Sequence, residues 1–331
     1  MDMVLLSTIL LIIVALGFDF INGCHDCSNS IATIVSTKVL SPIQAVIWAS
    51  FFNFISFLFF GLAIANTIGK GIIEPSIIDS YVIFSALSGA IIWNIITLKL
   101  GIPSSSSHAL VGGLIGAGIA KVGISSLLSA GITKVCIAII LSPVVGFILS
   151  ILLILIISWT FKNYSAFTVD KYSRYFQLVS SAAYSMGHGG SDAQKTMGII
   201  AVLLFANGYL GSSFFVPLWV VIICQSAMAL GTLLGGWKIV KTMGLKITDL
   251  KPIQGCCAET SGAITLFSAI WFGTPVSSTH TITGAIIGVG TAKRASSVRW
   301  DIAANIITAW VLTLPCSAFI AVTTYYILSI F

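Results

Sequence analysis

The chain has 331 residues, of which 57% are hydrophobic and only 8% are charged, and its formal net charge is +6. A soluble domain carries about 25% charged residues, so this composition excludes an ordinary soluble core. Several apolar runs reach the roughly 20 residues that cross a hydrocarbon core, which predicts a multi-spanning membrane protein. The basic residues lie in a few short loops, as in membrane proteins, and do not indicate a nucleic-acid surface.

Ten hydrophobic elements follow one another along the chain, five in each half. They cover residues 3–37, 42–66, 81–100, 104–120 and 133–159, and then 177–206, 215–240, 257–272, 276–292 and 300–330. We therefore predict an all-α membrane protein made of two repeats. The first repeat is expected over 1–159 and the second over 177–331, with a cytoplasmic linker over 160–176 between them.

The opening element of each half is interrupted by glycine and polar residues, at 17–29 and at 187–195. A continuous helix over 3–37 would be about 55 Å long, which exceeds one crossing. We therefore predict a break or a bend in each of these helices. Residues 3–16 lack a basic segment before them and continue into further apolar sequence, so a retained helix is favoured over a signal peptide.

One segment occurs in both halves, as PSSSSHALVGGLIGAGIAK at 103–121 and as PVSSTHTITGAIIGVGTAK at 275–293. Proline ends the incoming helix, and the hydroxyls fall at the N-cap and first turn of the next one. Free N–H groups and the helix dipole favour an anion there, although ordinary caps are the alternative. Each helix pair is predicted to be a re-entrant hairpin with a serine tip. The tip hydroxyls are Ser104, Ser105, Ser106, Ser107, Ser277, Ser278 and Thr279.

The interrupted helices carry the candidate cation ligands. Asp26 lies near Asn22 and Asn29, and Asp192 is followed by Lys195. An intramembrane carboxylate costs at least about 2.5–3.5 kcal/mol, so each one needs a cation, a proton or a base. Oxygen-rich surroundings suit a hard cation such as Na⁺. The alternative is a structural ion pair, for example between Asp192 and Lys195.

Three other features allow more than one interpretation. Glu259, in an otherwise apolar helix, is a candidate for cation or proton coupling or, equally, a carboxylate at a helix start. His108 and His280 are expected to tie down loop carbonyls rather than bind substrate. The Cys24-His-Asp-Cys27 motif lacks a second ligand pair, which favours packing over a metal or redox role.

The distribution of basic residues predicts the orientation of the chain. Loops 160–176, 238–256 and 292–300 hold most bases and are therefore expected inside the cell. Loop 206–216 and both terminal tails hold none, so both termini are expected outside. Each half then crosses the membrane three times, and the two halves are inverted repeats. Lys121 and Lys134 fall outside in this scheme, against the rule.

Four segments together resemble the signatures of the inorganic phosphate transporter (PiT) family, and especially its bacterial low-affinity permeases. They are GFDFINGCHDCSNSIAT, GIPSSSSHALVGG, GHGGSDAQKTMGII and GTPVSSTHTITGAIIGVG, in family order over nearly the whole chain. The resemblance implies cation-coupled phosphate uptake by an inverted-repeat transporter that is often dimeric and has external termini. Family members use Na⁺ or H⁺, and some bacterial relatives carry sulfate.

The resemblance also implies roles for individual residues. It makes Asp26 and Asn29 the core of the first signature, and Asp192, Gln194 and Lys195 the core of the second. The serine tips become the phosphate-facing groups.

Glu259 matches a family glutamate implicated in transport. The chain departs from the family at Ser191, where asparagine is usual, and it carries Lys195 where the first half has Asn29. We therefore expect Lys195 to help neutralise the anion.

The sequence thus predicts a secondary transporter, not an enzyme, that imports phosphate by symport through alternating access in the cell's inner membrane. Phosphate is expected between the tips with Lys195 and Gln194, and Na⁺, favoured over H⁺, at Asp26, Asn29 and Asp192. No cofactor is expected, and the partners are the lipid bilayer and a second copy of the chain. A permease for sulfate or another oxyanion is the alternative. An intramembrane enzyme is disfavoured because the chain has neither an HExxH nor a GxSxG motif.

Overall fold

The computed structural model describes residues 3–330, apart from the side chains of Lys70 and Pro75, and over this range the chain is all helical. Its twelve α-helices are α1 Met3–Ser36, α2 Pro42–Ile55, α3 Ala63–Gly71, α4 Ser80–Leu100, α5 Ser106–Val122, α6 Ser129–Thr160, α7 Ala166–Ala206, α8 Leu218–Leu234, α9 Trp237–Lys241, α10 Pro252–Trp271, α11 Ser278–Lys293 and α12 Trp300–Leu328. The predicted all-α class is confirmed.

Four helices are long and apolar enough to cross a membrane, namely α1, α4, α6 and α12. Two further spans arise if each bent helix pair is counted as one. In the first, α2 and the short turn after it meet α3 at 84°; in the second, α8 meets α9 and the following π-helical turn at 63°. The prediction of a multi-pass membrane protein is confirmed by these spans.

The predicted break is wrong for both opening helices, whereas a bend within them stays a prediction. α1 is continuous for 34 residues through 17–29, and α7 for 41 residues through 187–195. The polar side chains there are buried against neighbouring helices, and an internal glycine costs a helix only about 1 kcal/mol. The breaks fall in the second element of each half instead, where Gly235 takes a left-handed φ of 71° that ends α8.

Most of the predicted linker over 160–176 is also helical. Only residues 161–165 separate α6 from α7, and the Ser165 hydroxyl caps α7 by accepting a hydrogen bond from the Thr168 N–H at 3.2 Å. Residues 1, 2 and 331, the outer limits of the predicted repeats, lie outside the described residues. The division into two inverted repeats stays a prediction.

Two helical hairpins are present at the predicted positions, as α4–α5 and α10–α11, and their re-entrant course in the membrane stays a prediction. Their second helices have 17 and 16 residues, fewer than the roughly 20 that span a bilayer. α5 packs on α12, where Gly112 faces the Leu314 carbonyl, and α11 packs on α6, where Gly284 faces the Pro143 carbonyl. Each hairpin is therefore held against the last helix of the other half, since only glycine allows so close an approach.

Candidate functional site

The two serine tips meet in the interior of the protein. The Ser105 hydroxyl caps α5 by accepting from the His108 N–H at 3.3 Å, and the Ser277 hydroxyl caps α11 by accepting from the His280 N–H at 3.2 Å. The two histidine rings lie edge to face with their centroids 4.5 Å apart. Two helix N-termini 172 residues apart in the chain thus converge, as the sequence predicts.

Helix α1 contributes its polar residues to the second tip. The Asn29 amide donates to Thr279 Oγ1 at 2.9 Å and to Ser278 Oγ at 3.3 Å. The Thr279 hydroxyl in turn donates to Asp26 Oδ1 at 3.5 Å. All four side chains are buried. The polar residues of the first half, on α1, therefore contact the hairpin tip of the second half.

Helix α7 contacts both tips through one ammonium group. Lys195 Nζ donates to Ser107 Oγ on the first tip, to the Val276 carbonyl at 3.0 Å on the second, and to Asp192 Oδ1. The other Asp192 oxygen accepts from the Ser278 hydroxyl at 2.7 Å. Lys195 is only 2% exposed, so a fixed positive charge lies in a dry site between the tips.

Two histidines that were not among the predicted ligands also belong to the site. His25 Nδ1 lies 2.7 Å from Asp26 Oδ1, and His188 Nε2 lies 3.3 Å from Asp192 Oδ2. For His188 the sequence carries a signal, because His188 and Asp192 stand at the i, i+4 spacing that brings helical side chains together. His25 carries no such signal, since adjacent residues of a helix do not face each other. Each aspartate therefore has its own imidazole.

The carboxylates of the two halves come together here. One ligand atom from each of Asp26, His188 and Asp192 lies within 4.8 Å of the others, close enough to share an ion. The Asn29 side-chain carbonyl is buried and has no hydrogen-bond partner among the described residues. The residues predicted to hold Na⁺, Asp26, Asn29 and Asp192, are thus brought into one cluster.

Gln194 requires a correction, because its side chain faces away from the tips. Its Oε1 accepts from the N–H groups of Ile64 and Ala65 at 3.1 and 3.3 Å, and its Nε2 donates to the carbonyls of Gly61 and Gly190 at 2.8 and 2.6 Å. The bend before α3 leaves a helix N-terminus whose N–H groups need an acceptor inside the protein. Gln194 supplies that acceptor and has no hydrogen-bonding capacity left for phosphate.

Glu259 lies apart from the tips and joins three helices. Its carboxylate accepts hydrogen bonds from Thr33 at 2.6 Å, Gln177 at 3.0 Å and Ser180 at 2.5 Å. α10 begins at Pro252, two turns earlier, so the alternative of a carboxylate at the helix start is wrong. Glu259 instead connects α10 to α1 and α7.

The remaining predicted ligands have different surroundings. The Ser104 hydroxyl donates to Thr97 Oγ1 at 3.0 Å and lies 3.3 Å from His25 Nε2, on the side of α4. The Ser106 hydroxyl and the Asn22 side-chain carbonyl are buried without a hydrogen-bond partner in the described part of the chain. Ser106 therefore has a spare donor at the first tip.

Apolar helices that enclose a buried, charged and hydroxyl-rich centre are typical of a multi-pass membrane transporter, in which such polar groups mark substrate and ion pathways. The chain belongs to the phosphate transporter family, whose model matches residues 22–172 and 161–321. The resemblance found in the sequence is confirmed by this match.

Similar proteins cover the chain from end to end. A probable low-affinity inorganic phosphate transporter of Rhizobium meliloti (strain 1021) is 63% identical over 96% of this chain and 95% of its own length. One from Bacillus subtilis (strain 168) is 44% identical over 99% of both chains. A solved structure of a protein described as the sodium-dependent phosphate transporter matches with a TM-score of 0.90 and 24% identity, over 98% of this chain and 99% of its own. That likeness shows the fold.

Proposed function

We propose that this protein imports inorganic phosphate by symport with Na⁺, through alternating access of two inverted repeats. The observation that carries the proposal is the convergence of both serine tips on Lys195 beside two buried aspartates. The names of the relatives from Rhizobium meliloti and Bacillus subtilis support phosphate as the substrate.

The tips supply what a tetrahedral oxyanion needs. Two helix N-termini offer free N–H groups and positive dipole ends, and the tip serines and threonine add hydroxyl donors. The Lys195 ammonium already bridges the tips and would transfer its hydrogen bonds to an arriving anion. Ser106 has a hydroxyl that no described group uses, so phosphate would complete its hydrogen bonding.

Charge balance argues for a co-transported cation. Lys195 compensates Asp192, but among the described residues Asp26 has only His25 as a basic contact, and phosphate brings further negative charge. A buried charge is tolerated only when it is paired. A cation at Asp26, Asn29 and Asp192 would provide that pairing, so we propose that it binds first and prepares the site for the anion.

Na⁺ is favoured over H⁺ because the described oxygen atom without a hydrogen-bond partner at this cluster belongs to an amide. The Asn29 side-chain carbonyl coordinates a metal ion readily but does not take up a proton near neutral pH. The solved structural neighbour is described as a sodium-dependent phosphate transporter, which points the same way. The co-transported ion is the only non-protein component proposed, with no resident cofactor.

The packing of the hairpins supports alternating access. Each short hairpin helix rests on a long helix of the opposite half through glycine contacts, so one tip can separate from the site while the other stays closed. We further propose that the protein lies in the cell's inner membrane with both termini outside and that it forms a homodimer.

A sulfate permease remains the second candidate, since sulfate has the same shape. Protonated phosphate donates a hydrogen bond, whereas sulfate cannot, and the buried carboxylates Asp26 and Asp192 are acceptors beside the tips. Phosphate is therefore favoured. Unlabelled sulfate should fail to compete with labelled phosphate for uptake, and effective competition would reverse the assignment.

The test is uptake of labelled phosphate into proteoliposomes with an imposed Na⁺ gradient, an imposed pH gradient without Na⁺, or neither. We expect uptake to follow the Na⁺ gradient, and Asp26→Asn to abolish it. The matched control is Asp301→Asn, the same chemical change at an exposed position. Uptake driven equally well without Na⁺, or intact in Asp26→Asn, would contradict the proposal.

A further inference from the structure

Each serine tip follows a tight turn whose carbonyl is held by a threonine. The turns fall at Gly101 and Gly273, which take left-handed φ values of 71° and 58°. The Gly101 carbonyl accepts a hydrogen bond from the Thr242 hydroxyl at 3.1 Å. The Gly273 carbonyl accepts one from the Thr67 hydroxyl at 2.8 Å. Each turn glycine lies two residues before the proline of its tip, so these bonds fix the position of the tips.

The two threonines occupy corresponding places in the two halves. Thr67 lies on α3 and Thr242 directly follows α9, so each belongs to the short helical segment that comes after a bend. Each hydroxyl also lies 3.2 Å from the carbonyl four residues earlier, that of Ala63 or of Lys238. A Cβ added at the turn glycine would meet Ala63 in one half and Lys238 in the other, at 3.1 and 3.0 Å. The same contact between a bent segment and a hairpin turn is thus built twice.

A lysine strengthens each of these contacts. Lys134 on α6 donates to the Gly273 carbonyl at 2.9 Å and to the Phe272 carbonyl at 3.4 Å. Lys238 donates to the Lys99 carbonyl at 2.9 Å, near the end of α4. A cation is favoured beside the last carbonyls of a helix, where the helix dipole is negative. The first helix of each hairpin is therefore held at its C-terminal end by one hydroxyl and one ammonium group.

The two contacts lie toward opposite sides of the phosphate site. α3 packs beside loop 206–216, where Gly69 faces the Phe214 ring, and in the proposed orientation this loop lies outside. Thr242 belongs to the basic segment 238–256, which lies inside in the same orientation. Both contacts are formed in this structure, and the tip residues between them are buried. The site is therefore closed toward both sides.

We propose that Thr67 and Thr242 are positioning residues for two gates. The Thr67 bond holds the second tip closed toward the outside, and the Thr242 bond holds the first tip closed toward the inside. The inference rests on the proposed alternating access and names the contacts that break, one at a time, during the cycle. A hydrogen bond between neutral groups suits this task, because its net contribution is small, while the cost of a buried carbonyl without a donor favours closing again.

The test measures how fast a thiol at the centre of the site reacts from each side of the membrane. Val276→Cys places that thiol at the buried second tip, on the residue whose carbonyl binds Lys195. A membrane-impermeant maleimide is applied to right-side-out and to inside-out vesicles. Mass spectrometry of the peptide that contains residue 276 separates this thiol from the seven native cysteines. Thr67→Val should raise labelling from the outside about five-fold and leave labelling from the inside unchanged, and Thr242→Val should do the reverse.

Conservative variants separate gating from a general loss of stability. Thr67→Ser and Thr242→Ser keep the hydroxyl and should label like Val276→Cys alone. Thr308→Val removes a hydroxyl that, among the described residues, bonds only to the Ala304 carbonyl of its own helix, and labelling should not change. A rise on both sides alike in either threonine-to-valine variant, or unchanged labelling in both folded variants, overturns the inference.

The lysine contacts keep the test decisive if a threonine variant fails to fold. Lys134→Met should raise labelling from the outside and Lys238→Met from the inside, with exposed Lys171→Met as the control. Unchanged labelling in both variants, or a rise on the opposite side from the one named, contradicts the assignment of the gates. Labelling needs no transported ion, so failure of wild-type phosphate uptake under a Na⁺ gradient is a separate result, which removes the proposed function.

Discussion

The α1 and α7 sides of the site hold their aspartates in different ways. Asp26 has His25 at 2.7 Å and, three residues on, the neutral Asn29. Asp192 has the Lys195 ammonium three residues on, besides His188 and the Ser278 hydroxyl. The tips above them are nearly alike, with N-cap hydrogen bonds of 3.3 and 3.2 Å.

Because of this difference, anion binding and sodium coupling are assigned to different helices, whereas in a symmetric site both helices would do both. The tips present equivalent donors to one anion. The positive charge is covalently fixed on the α7 side, whereas on the α1 side it has to arrive with a mobile ion. We therefore infer that Na⁺ coupling resides mainly on α1 and that α7 supplies the fixed positive charge for the anion.

The largest expected effect is on stability and tests whether the charge on α7 is fixed. Asp192→Asn leaves the Lys195 ammonium buried without its carboxylate and should lower the free energy of unfolding by about 3–5 kcal/mol. Asp26→Asn, measured without Na⁺, should change it by less than about 1 kcal/mol, because no fixed cation loses its partner. Denaturant unfolding of detergent-solubilised protein measures both.

The double variant Asp192→Asn/Lys195→Met provides the control. Removal of both charges leaves no unpaired ion, so most of the lost stability should return. Equal losses of unfolding free energy in Asp26→Asn and Asp192→Asn would show that the charges of the two aspartates are compensated in the same way.

The next prediction concerns a variant in which α7 receives the polar residues of α1. Lys195→Asn gives α7 the aspartate–asparagine pair of α1 and should make the protein less stable without Na⁺. Sodium at about 100 times its dissociation constant should then restore roughly 2.7 kcal/mol, because it replaces the lost ammonium. The readout is the unfolding temperature in NaCl and in choline chloride. If NaCl raised the unfolding temperature of Lys195→Asn no more than that of the wild type, Na⁺ would not replace the lost ammonium.

Sequence alone predicts the tips and the meeting of the aspartates because both depend on local chemistry repeated in each half. A serine that follows a proline favours the N-cap of a new helix, as at Ser105 and Ser277. Polar residues in an apolar chain must also cluster somewhere, so the union of Asp26 with Asp192 follows from their cost.

The rest depends on packing between distant helices. Gln194 caps α3 only because the bend falls at residues 59–62, which no local signal at Gln194 reveals. Asn29 serves the second tip rather than the first because the hairpins pack on the opposite half. α1 stays continuous because its neighbours bury its polar face, and that tertiary effect outweighs weak helix propensity.

Among the described hydroxyls of the two tips, a smaller effect distinguishes those that are hydrogen-bonded from that of Ser106, which is not. Ser278→Ala removes a hydrogen bond to the ionised Asp192, of the kind worth about 1.5–3 kcal/mol, so both protein stability and the KM for phosphate should suffer. Ser106→Ala removes a hydroxyl with no partner among the described residues and should raise KM by about three- to ten-fold, with stability unchanged. Initial uptake rates and unfolding curves separate the two. Loss of stability in Ser106→Ala would mean that this hydroxyl is used within the protein.

The smallest difference is expected between the caps themselves. Ser105→Ala and Ser277→Ala each remove one N-cap hydrogen bond of almost the same length, and each should cost about 1 kcal/mol of unfolding free energy. Their costs should agree within about 0.5 kcal/mol, since neither cap touches the unequal charges of α1 and α7. Unfolding curves of the two variants and of the wild type in one detergent give this comparison directly. A clear preference for one cap would place the asymmetry in the tips as well, and α1 would then no longer be the main origin of sodium coupling.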